Sequence, residues 1–300
     1  MLPIDLNHLG LPGAASAFLL DAGDGPILIE SGPMSTLQTL CTGLRTHGVD
    51  PESIQHVVLT HIHLDHAGAA GWFASHGATV HVHPRGAAHL IDPTRLNDSA
   101  ARVYGDRLSS LLGKMHAVPE TNVNIVSDRE TINASGVKLQ AIHTPGHASH
   151  HYAWAAELDG ERTCFTGDIA GMRIPGTDYI TLPMAPPEFD PDLWHSSIDS
   201  LDAAGFDSLI LTHSNRVEDP GAHFAKLRTY LDNEVAMLRM LFADDSLNDD
   251  ERAARVQVAL FNNAVAAGVE PSLAEKHLTL GHANMNVMGL RRMLRRTSSA

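Results

Sequence analysis

The chain contains little of what several protein classes require. Only two of its 300 residues are cysteines, Cys41 and Cys164, and their wide separation argues against a disulfide framework. No apolar run reaches the roughly 20 residues that span a bilayer, and residues 1–5 lack the basic start of a secretion signal. Lys and Arg number 21 against 35 Asp and Glu, which argues against a nucleic-acid-binding surface. We therefore expect a soluble cytoplasmic protein that binds neither membranes nor nucleic acid.

The chain has enough apolar sequence for a large core, at 43% hydrophobic residues, and its pattern changes near residue 220. Before this point, short β-like runs alternate with helical ones, which is typical of a layered α/β domain. These runs are residues 17–20, 27–30, 57–60, 79–82, 137–142, 152–156, 163–166 and 208–212. After it, apolar residues such as Phe224, Leu227 and Leu231 recur at helical spacing. The sequence therefore predicts an α/β domain over residues 1–220 and a helical region over residues 221–300.

The densest chemical signal is residues 60–66, Thr-His-Ile-His-Leu-Asp-His, which hold four potential metal ligands. Imidazole nitrogens and a carboxylate suit zinc, iron or manganese. The apolar run before the motif predicts a buried strand and the residues after it a helix, so the motif lies in a strand-to-helix loop. In an extended loop, His61 and His63 point the same way and can share one ion. Asp65 and His66 lie beyond them and can reach a second ion.

Four further signals accompany this motif in order along the chain. Residues 28–33 read Leu-Ile-Glu-Ser-Gly-Pro, His147 ends Thr-Pro-Gly-His, Asp168 ends Phe-Thr-Gly-Asp, and His213 ends an apolar run. Together with the motif they resemble the metallo-β-lactamase-fold hydrolases, and the resemblance covers residues 14–220. It implies an α/β fold, a four-layer αββα sandwich, with a C-terminal helical extension. Residues 1–220 would be the catalytic domain and residues 221–300 a helical cap.

The resemblance also implies a site for two divalent metal ions. One ion would be held by His61, His63 and His147, the other by Asp65, His66 and His213, with Asp168 bridging the two. Zinc is the expected metal, with iron and manganese as alternatives. A hydroxide that bridges the ions would attack an acyl or phosphoryl centre, so no serine or cysteine nucleophile is needed. Asp65 and Asp168 are therefore catalytic candidates.

Three residues near these signals are candidates for supporting roles. Glu30 and nearby backbone carbonyls are alternative candidate acceptors for the outer ring nitrogen of a ligating histidine. Tyr179, eleven residues after Asp168, is a catalytic candidate that could polarise a substrate oxygen, as tyrosines do in some related lactonases. Packing in the core is the favoured interpretation for Tyr179. His151 matches a histidine that the family often has, and a structural role is favoured for it.

The resemblance points to hydrolysis of a small molecule. Class B β-lactamases commonly carry a cysteine where Asp168 stands, and nucleases of this fold have basic or RNA-binding regions that this chain lacks. We therefore predict a hydrolase that cleaves an ester, lactone or thioester bond. Two alternatives stay open: a mononuclear iron enzyme like the persulfide dioxygenases, and a non-catalytic regulator that binds metal and ligand. In the family, helices like those of the cap cover the metal cleft, and so do helices like the one predicted here over residues 100–115. A helical cap of this kind could also support a homodimer.

Overall fold

The computed structural model, which describes residues 1–21, 23–278 and 282–297, contains two six-stranded sheets. The first sheet consists, in spatial as in chain order, of β1 (Leu2–Asp5), β2 (Ser16–Asp21), β3 (Pro26–Ile29), β4 (His56–Val58), β5 (Thr79–Val82) and β6 (Val123–Ile125). The second sheet contains β7 (Thr131–Ala134), β8 (Val137–His143), β9 (Tyr152–Leu158), β10 (Glu161–Phe165), β13 (Ser208–Leu211) and β14 (Asn215–Val217). Its spatial order is β14-β13-β10-β9-β8-β7. Between β10 and β13 the chain forms a separate two-stranded ribbon of β11 (Met172–Arg173) and β12 (Ile180–Thr181).

Helices flank both sheets. Those before the last strand are α1 (Leu37–Thr46), α2 (Leu64–Ala67), α3 (Ala70–Ser75), α4 (Pro84–Ile91), α5 (Thr94–Tyr104), α6 (Leu108–Leu111) and α7 (Pro191–Ala203). Those after it are α8 (Pro220–Ala243), α9 (Asp249–Ala266), α10 (Pro271–Leu278) and α11 (His282–Thr297). Within the described residues, no helix has both the length and the apolar character that a membrane span requires.

Alternation of side chains across the strands produces the layers. In β2, Phe18 and Leu20 enter the core between the two sheets, whereas Leu19 packs with the helices outside the first sheet. In β10, Phe165 faces the first sheet and Cys164 faces the C-terminal helices. The order of layers is therefore helix, sheet, sheet, helix, which confirms the predicted αββα sandwich with its C-terminal helical extension.

The helices after residue 220 pack on the outer face of the second sheet. Phe224 and Leu227 of α8 belong to the same buried cluster as Leu209 of β13. The acidic turn before α9 caps that helix, because Asn248 and Glu251 each bond to the other's backbone N–H. The division of the chain into a catalytic domain and a cap at residue 220 stays a prediction.

Several elements are shorter than the sequence predicted. The helix predicted over residues 100–115 is split into α5 and α6, because the positive φ of Gly105, 55°, ends α5 and a 3-10 turn follows. The strand predicted over residues 57–60 ends at Val58, so Thr60 already belongs to the loop. The apolar side chains of α5 and α6 form a small cluster with Leu64, beside the histidine motif.

Candidate metal centre

Four segments that follow strands bring chemically active side chains to one edge of the sandwich, and the first of them continues into α2. The motif of residues 60–66 follows β4, His147 follows β8, Asp168 follows β10 and His213 follows β13. Strand β10 is parallel to β13, and it runs in the same direction as β8 because both pair antiparallel with β9. The carboxyl ends of these strands therefore lie at the same edge, where α/β sheets commonly place their ligands.

The first group of side chains is His61, His63 and His147. Nε2 of His61 lies 2.9 Å from Nδ1 of His63 and 3.2 Å from Nε2 of His147, and the latter two nitrogens are 2.9 Å apart. Ligands about 2.05 Å from a tetrahedral zinc ion are about 3.3 Å from one another. The three nitrogens are therefore spaced nearly as they would be around one ion.

The second group is Asp65, His66 and His213, and Asp168 lies between the two groups. The Nε2 atoms of His66 and His213 are 3.3 Å apart, and each is 3.6 Å from Oδ2 of Asp65. Oδ1 of Asp168 lies 3.2 Å from Nε2 of His66 and 3.3 Å from that of His213, while its Oδ2 lies 3.4 Å from Nε2 of His147. The structure thus brings together all seven predicted ligands; that they bind metal stays a prediction.

Two of the buried histidines use their outer ring nitrogen to bond to backbone carbonyls. Nδ1 of His147 donates to the carbonyl oxygen of Pro183 at 2.7 Å, and Nδ1 of His213 to that of Ala14 at 2.5 Å. A neutral ring that donates through Nδ1 presents the lone pair of Nε2 to the centre. These bonds therefore fix both the orientation and the tautomer that a cation requires.

Glu30 supports the second group, as the sequence proposed. It is fully buried at the end of β3, and its φ of 63° is unusual for a residue other than glycine. Its Oε1 accepts from Oγ1 of Thr60 at 2.5 Å, from Nδ1 of His66 at 3.0 Å and from Oγ1 of Thr212 at 3.2 Å. The oxygen of Thr60 lies 3.0 Å from Nδ1 of His61, so one carboxylate orients both groups.

The local electrostatics suit cation binding. Burial lowers the pKa of both His61 and His63, that of His63 to about 3, so both rings are neutral near pH 7. Burial alone would raise the pKa of Asp168, but the neighbouring histidines outweigh it and hold the pKa of this carboxyl well below its ordinary value. The balance is opposite in His66, where Asp168, Asp65 and Glu30 outweigh burial and raise the pKa, so this ring would lose a proton on binding a cation.

The residues present fit a pair of divalent cations. Oδ1 of Asp168 is buried and accepts no hydrogen bond from the described residues. Three overlapping groups of side chains have their ligand atoms within 4.8 Å of one another, and each could hold an ion. Five imidazoles and two carboxylates form a donor set that zinc, iron and manganese accept.

Two glycines permit the close approach of the ligand loops. Gly146, just before His147, has a φ of 131°, and a Cβ there would overlap the backbone of Trp194. Gly167, just before Asp168, has a φ of 51°, and a Cβ there would overlap Oγ1 of Thr60. Any larger residue would strain the backbone and displace the ligand that follows.

Tyr179 lies away from the metal ligands. Its hydroxyl donates to the carbonyl oxygen of Leu260 on α9 at 3.0 Å, and its ring packs edge-on against Tyr230. The side chain belongs to the core beneath the C-terminal helices and is 2% exposed. Packing therefore replaces the catalytic role considered for Tyr179, because its only polar atom is engaged in the core.

His151 takes the structural role that the sequence favoured. Its Nδ1 lies 2.8 Å from Oγ1 of Thr144, and its Nε2 accepts from the backbone N–H of Asp168 at 3.2 Å. Both nitrogens are thus occupied in fixing the loop that carries Asp168.

Two residues beside the second group, His8 and Tyr104, were not predicted as part of the site. Burial lowers the pKa of His8, and the nearby charge of Asp65 opposes this effect only in part. Burial, together with the charge of Asp65, raises the pKa of Tyr104 to about 12. Nδ1 of His8 is buried and has no hydrogen-bond partner in the described part of the chain. Neither residue belongs to a sequence motif, so only the tertiary fold reveals that both lie within the field of Asp65.

Comparisons with known proteins agree with this geometry. The family model described as "Metallo-beta-lactamase superfamily" matches residues 10–213. The metallo-beta-lactamase fold-containing protein ST1585 of Sulfurisphaera tokodaii is 29% identical over 151 residues, which are 49% of this chain and 55% of that protein. The lactamase-like protein adaB of Aspergillus niger is 25% identical over 76% of this chain and 57% of its own length. A protein named thioesterase pkgB, from Emericella nidulans, is 27% identical over 51% of this chain and 35% of its own length. The chain thus spans between 35% and 57% of the length of these three relatives.

Solved structures show the same fold. The crystal structure of ST1585 superposes with a TM-score of 0.65 at 20% identity and covers 97% of both chains. That of the family protein TTHA1429 from Thermus thermophilus gives a TM-score of 0.66 at 19% identity, over 95% of this chain and 89% of the other. The coverage includes the C-terminal helices as well as the sandwich.

Proposed function

The chain belongs to the metallo-beta-lactamase superfamily, whose members are mostly hydrolytic enzymes, and on this premise we propose a specific hydrolytic reaction. In this proposal the protein cleaves an ester, lactone or thioester bond of a small molecule with the help of two divalent metal ions. The observation that carries the proposal is the position of Asp168, whose two oxygens face two separate groups of inward-pointing ligands. The family match alone would not distinguish one metal site from two.

The side chains of the centre divide the work of such a reaction. His61, His63 and His147 would hold one ion, Asp65, His66 and His213 the other, and Asp168 would contact both. When bound, the ions supply Lewis-acid chemistry and lower the pKa of water towards neutrality. The Asp65 side chain is 32% exposed, whereas those of His66 and His213 are 0% and 7% exposed, so Asp65 can accept a hydrogen bond from an incoming water.

A thioester is the favoured bond among the three. The relative named as a thioesterase supports it, although only part of that protein is matched. Residues 221–300 form a cap in this proposal, and small acyl compounds are the expected substrates. Zinc is the expected metal, with iron and manganese as alternatives.

The test is hydrolysis by metal-loaded protein of an acyl thioester, an acyl lactone and a phosphodiester, followed by acid release. We expect turnover of the thioester or lactone that stops on chelation. Asp168→Ala should lower the rate at least about 100-fold with the circular dichroism spectrum unchanged, because it removes the bridge between the two groups. Asp24→Ala, in the exposed turn between β2 and β3, is the control and should keep the wild-type rate.

Three results would contradict the proposal. Full activity of the Asp168→Ala variant would exclude the two-metal mechanism. One tightly bound iron per chain with oxygen uptake would favour the mononuclear oxidative alternative. Metal binding without turnover of any ester, lactone or thioester would favour a non-catalytic regulator.

A further inference from the structure

The loop after β12 carries the backbone acceptor of a candidate metal ligand. The carbonyl oxygen of Pro183 accepts from Nδ1 of His147 at 2.7 Å, and His147 is 1% exposed. The same oxygen accepts from the backbone N–H of Ala185 at 2.9 Å. The orientation of the His147 ring therefore depends on where this peptide group lies.

That peptide group is held from its other side by the C-terminal helices. Its N–H belongs to Met184 and donates to Oδ1 of Asn286 on α11 at 3.0 Å. One peptide unit thus joins His147 to Asn286, with its C=O towards the metal centre and its N–H towards the cap. A hydrogen bond to the N–H of an amide polarises the C=O, which then becomes a stronger acceptor.

A buried carboxyl on a second helix fixes Asn286. Nδ2 of Asn286 donates to Oε1 of Glu234 on α8, and the two residues are 1% and 6% exposed. Burial raises the pKa of Glu234 to about 7, against the opposing effect of this hydrogen bond. A carboxyl at such depth costs stability unless it is bonded, so its presence beside Asn286 needs an explanation beyond packing.

The backbone of α11 also approaches this loop closely. A Cβ built at Gly289, one turn after Asn286, would overlap the carbonyl oxygen of Met184. Near the end of the helix, the guanidinium of Arg296 donates to the carbonyl oxygens of Pro187 at 2.9 Å and Phe189 at 2.8 Å. Helix α11 therefore contacts residues 183–189 at three points.

We propose that Asn286, held by Glu234, is a positioning residue for the metal ligand His147 and acts through the peptide group between Pro183 and Met184. The cap thereby sets the orientation and basicity of a ligand that its own residues do not touch. This inference rests on the proposed metal site, but it does not depend on which bond the enzyme cleaves.

The experiment compares metal binding by four variants. Asn286→Leu removes the acceptor of the Met184 N–H and also leaves Glu234 buried without its partner. Asn286→Leu with Glu234→Leu removes both polar groups and should regain much of the lost stability, because apolar replacement of both partners is nearly neutral. Glu234→Gln keeps an acceptor oxygen for Asn286. Val287→Ala, at a buried position beside Asn286, loosens the packing of α11 but leaves the network intact.

Zn²⁺ and Co²⁺ affinities are measured by competition with a chelating dye, the Co²⁺ absorption bands report the ligand geometry, and urea unfolding reports stability. Loss of a direct hydrogen-bond partner of a metal ligand costs roughly 10–100-fold in metal affinity. Asn286 is one peptide group further from the metal, so we expect its loss to weaken metal affinity by about 3–10-fold. The single and double leucine variants should both show this loss and altered Co²⁺ bands. Glu234→Gln and Val287→Ala should stay within about twofold of wild type.

A purely structural role would give a different pattern. If the double variant recovers wild-type affinity and Co²⁺ bands together with stability, Asn286 does not position His147. Equal weakening by Val287→Ala would also overturn the inference. Because no substrate is used, a wild-type protein that binds metal but hydrolyses nothing would refute the hydrolase proposal and leave this comparison intact.

Discussion

Glu234 should make the stability of the protein depend on pH in a way that one substitution removes. Burial raises the pKa of this carboxyl from 4.5 to about 7. The phenol of Tyr179 is near the same carboxyl. Burial raises the pKa of Tyr179, and Glu234 raises it further by a smaller amount, so Tyr179 stays neutral over this range. Between pH 4.5 and 7 the folded protein binds the Glu234 proton more tightly than the unfolded chain. The stabilisation is therefore present at low pH and is lost as the pH rises towards 7.

The size of the effect follows from the shift. One pKa unit corresponds to about 1.4 kcal/mol, so the change from 4.5 to about 7 gives about 3 kcal/mol over the whole window. Between pH 5 and pH 8 we expect about 2–3 kcal/mol of it to be lost. Glu234→Gln keeps the shape of the side chain and cannot titrate. The variant should match wild type near pH 5 and exceed its free energy of unfolding by about 2–3 kcal/mol at pH 8.

Urea unfolding at several pH values between 5 and 8, with a chelator present, measures this difference. The other titrating groups affect both proteins alike, so they cancel in the comparison. Glu157→Gln, which removes an exposed carboxyl from β9, is the control and should leave the pH dependence unchanged. Parallel curves for wild type and Glu234→Gln would refute a raised pKa of Glu234 in the folded protein.

Three further substitutions, one of them a control, test other contacts. Glu30→Gln removes the anionic acceptor of His66 and should weaken binding of at least one metal equivalent by about 10–100-fold in a dye competition. Unchanged affinity of both equivalents would contradict the supporting role of Glu30. Gly289→Ala should destabilise the protein by about 1–3 kcal/mol in urea, since its Cβ overlaps a backbone oxygen of the neighbouring loop. Gly221→Ala on α8, where the added Cβ would make only an ordinary contact, should instead stabilise by up to about 1 kcal/mol. A stabilised Gly289→Ala protein would show that α11 does not approach the loop so closely.

The candidate ligands could be named from the sequence because the dense motif of residues 60–66 and four later or earlier signals together resemble one family in order and context. His61, His63 and His66 are adjacent in one motif, and Asp168 and His213 each end a run that reads as a buried strand. The layered α/β fold could be predicted from the alternation of short β-like and helical runs before residue 220, and its four-layer form from the family resemblance.

The contacts that orient the ligands could be predicted only in part, because the sequence offered Glu30 and nearby backbone carbonyls as acceptors but could not assign them to particular histidines. The acceptors of His147 and His213 are the backbone carbonyls of Pro183 and Ala14, and every residue has such a group. Spacing from Asp168 suggested an approach of Tyr179 to the metals, but the tertiary fold turns its hydroxyl towards α9. Sequence spacing does not determine the direction of a side chain in a long loop.

The candidate ligands come from both sheets, so metal binding would be linked to the docking of the two halves of the sandwich. The motif of residues 60–66 follows a strand of the first sheet, whereas His147, Asp168 and His213 follow strands of the second. An ion held by residues of both sheets would act as a cross-link that the unfolded chain cannot form. Metal at about 1,000 times its dissociation constant would add about 4 kcal/mol to the free energy of unfolding. The melting temperature of this protein should therefore rise and fall with the free metal concentration around it.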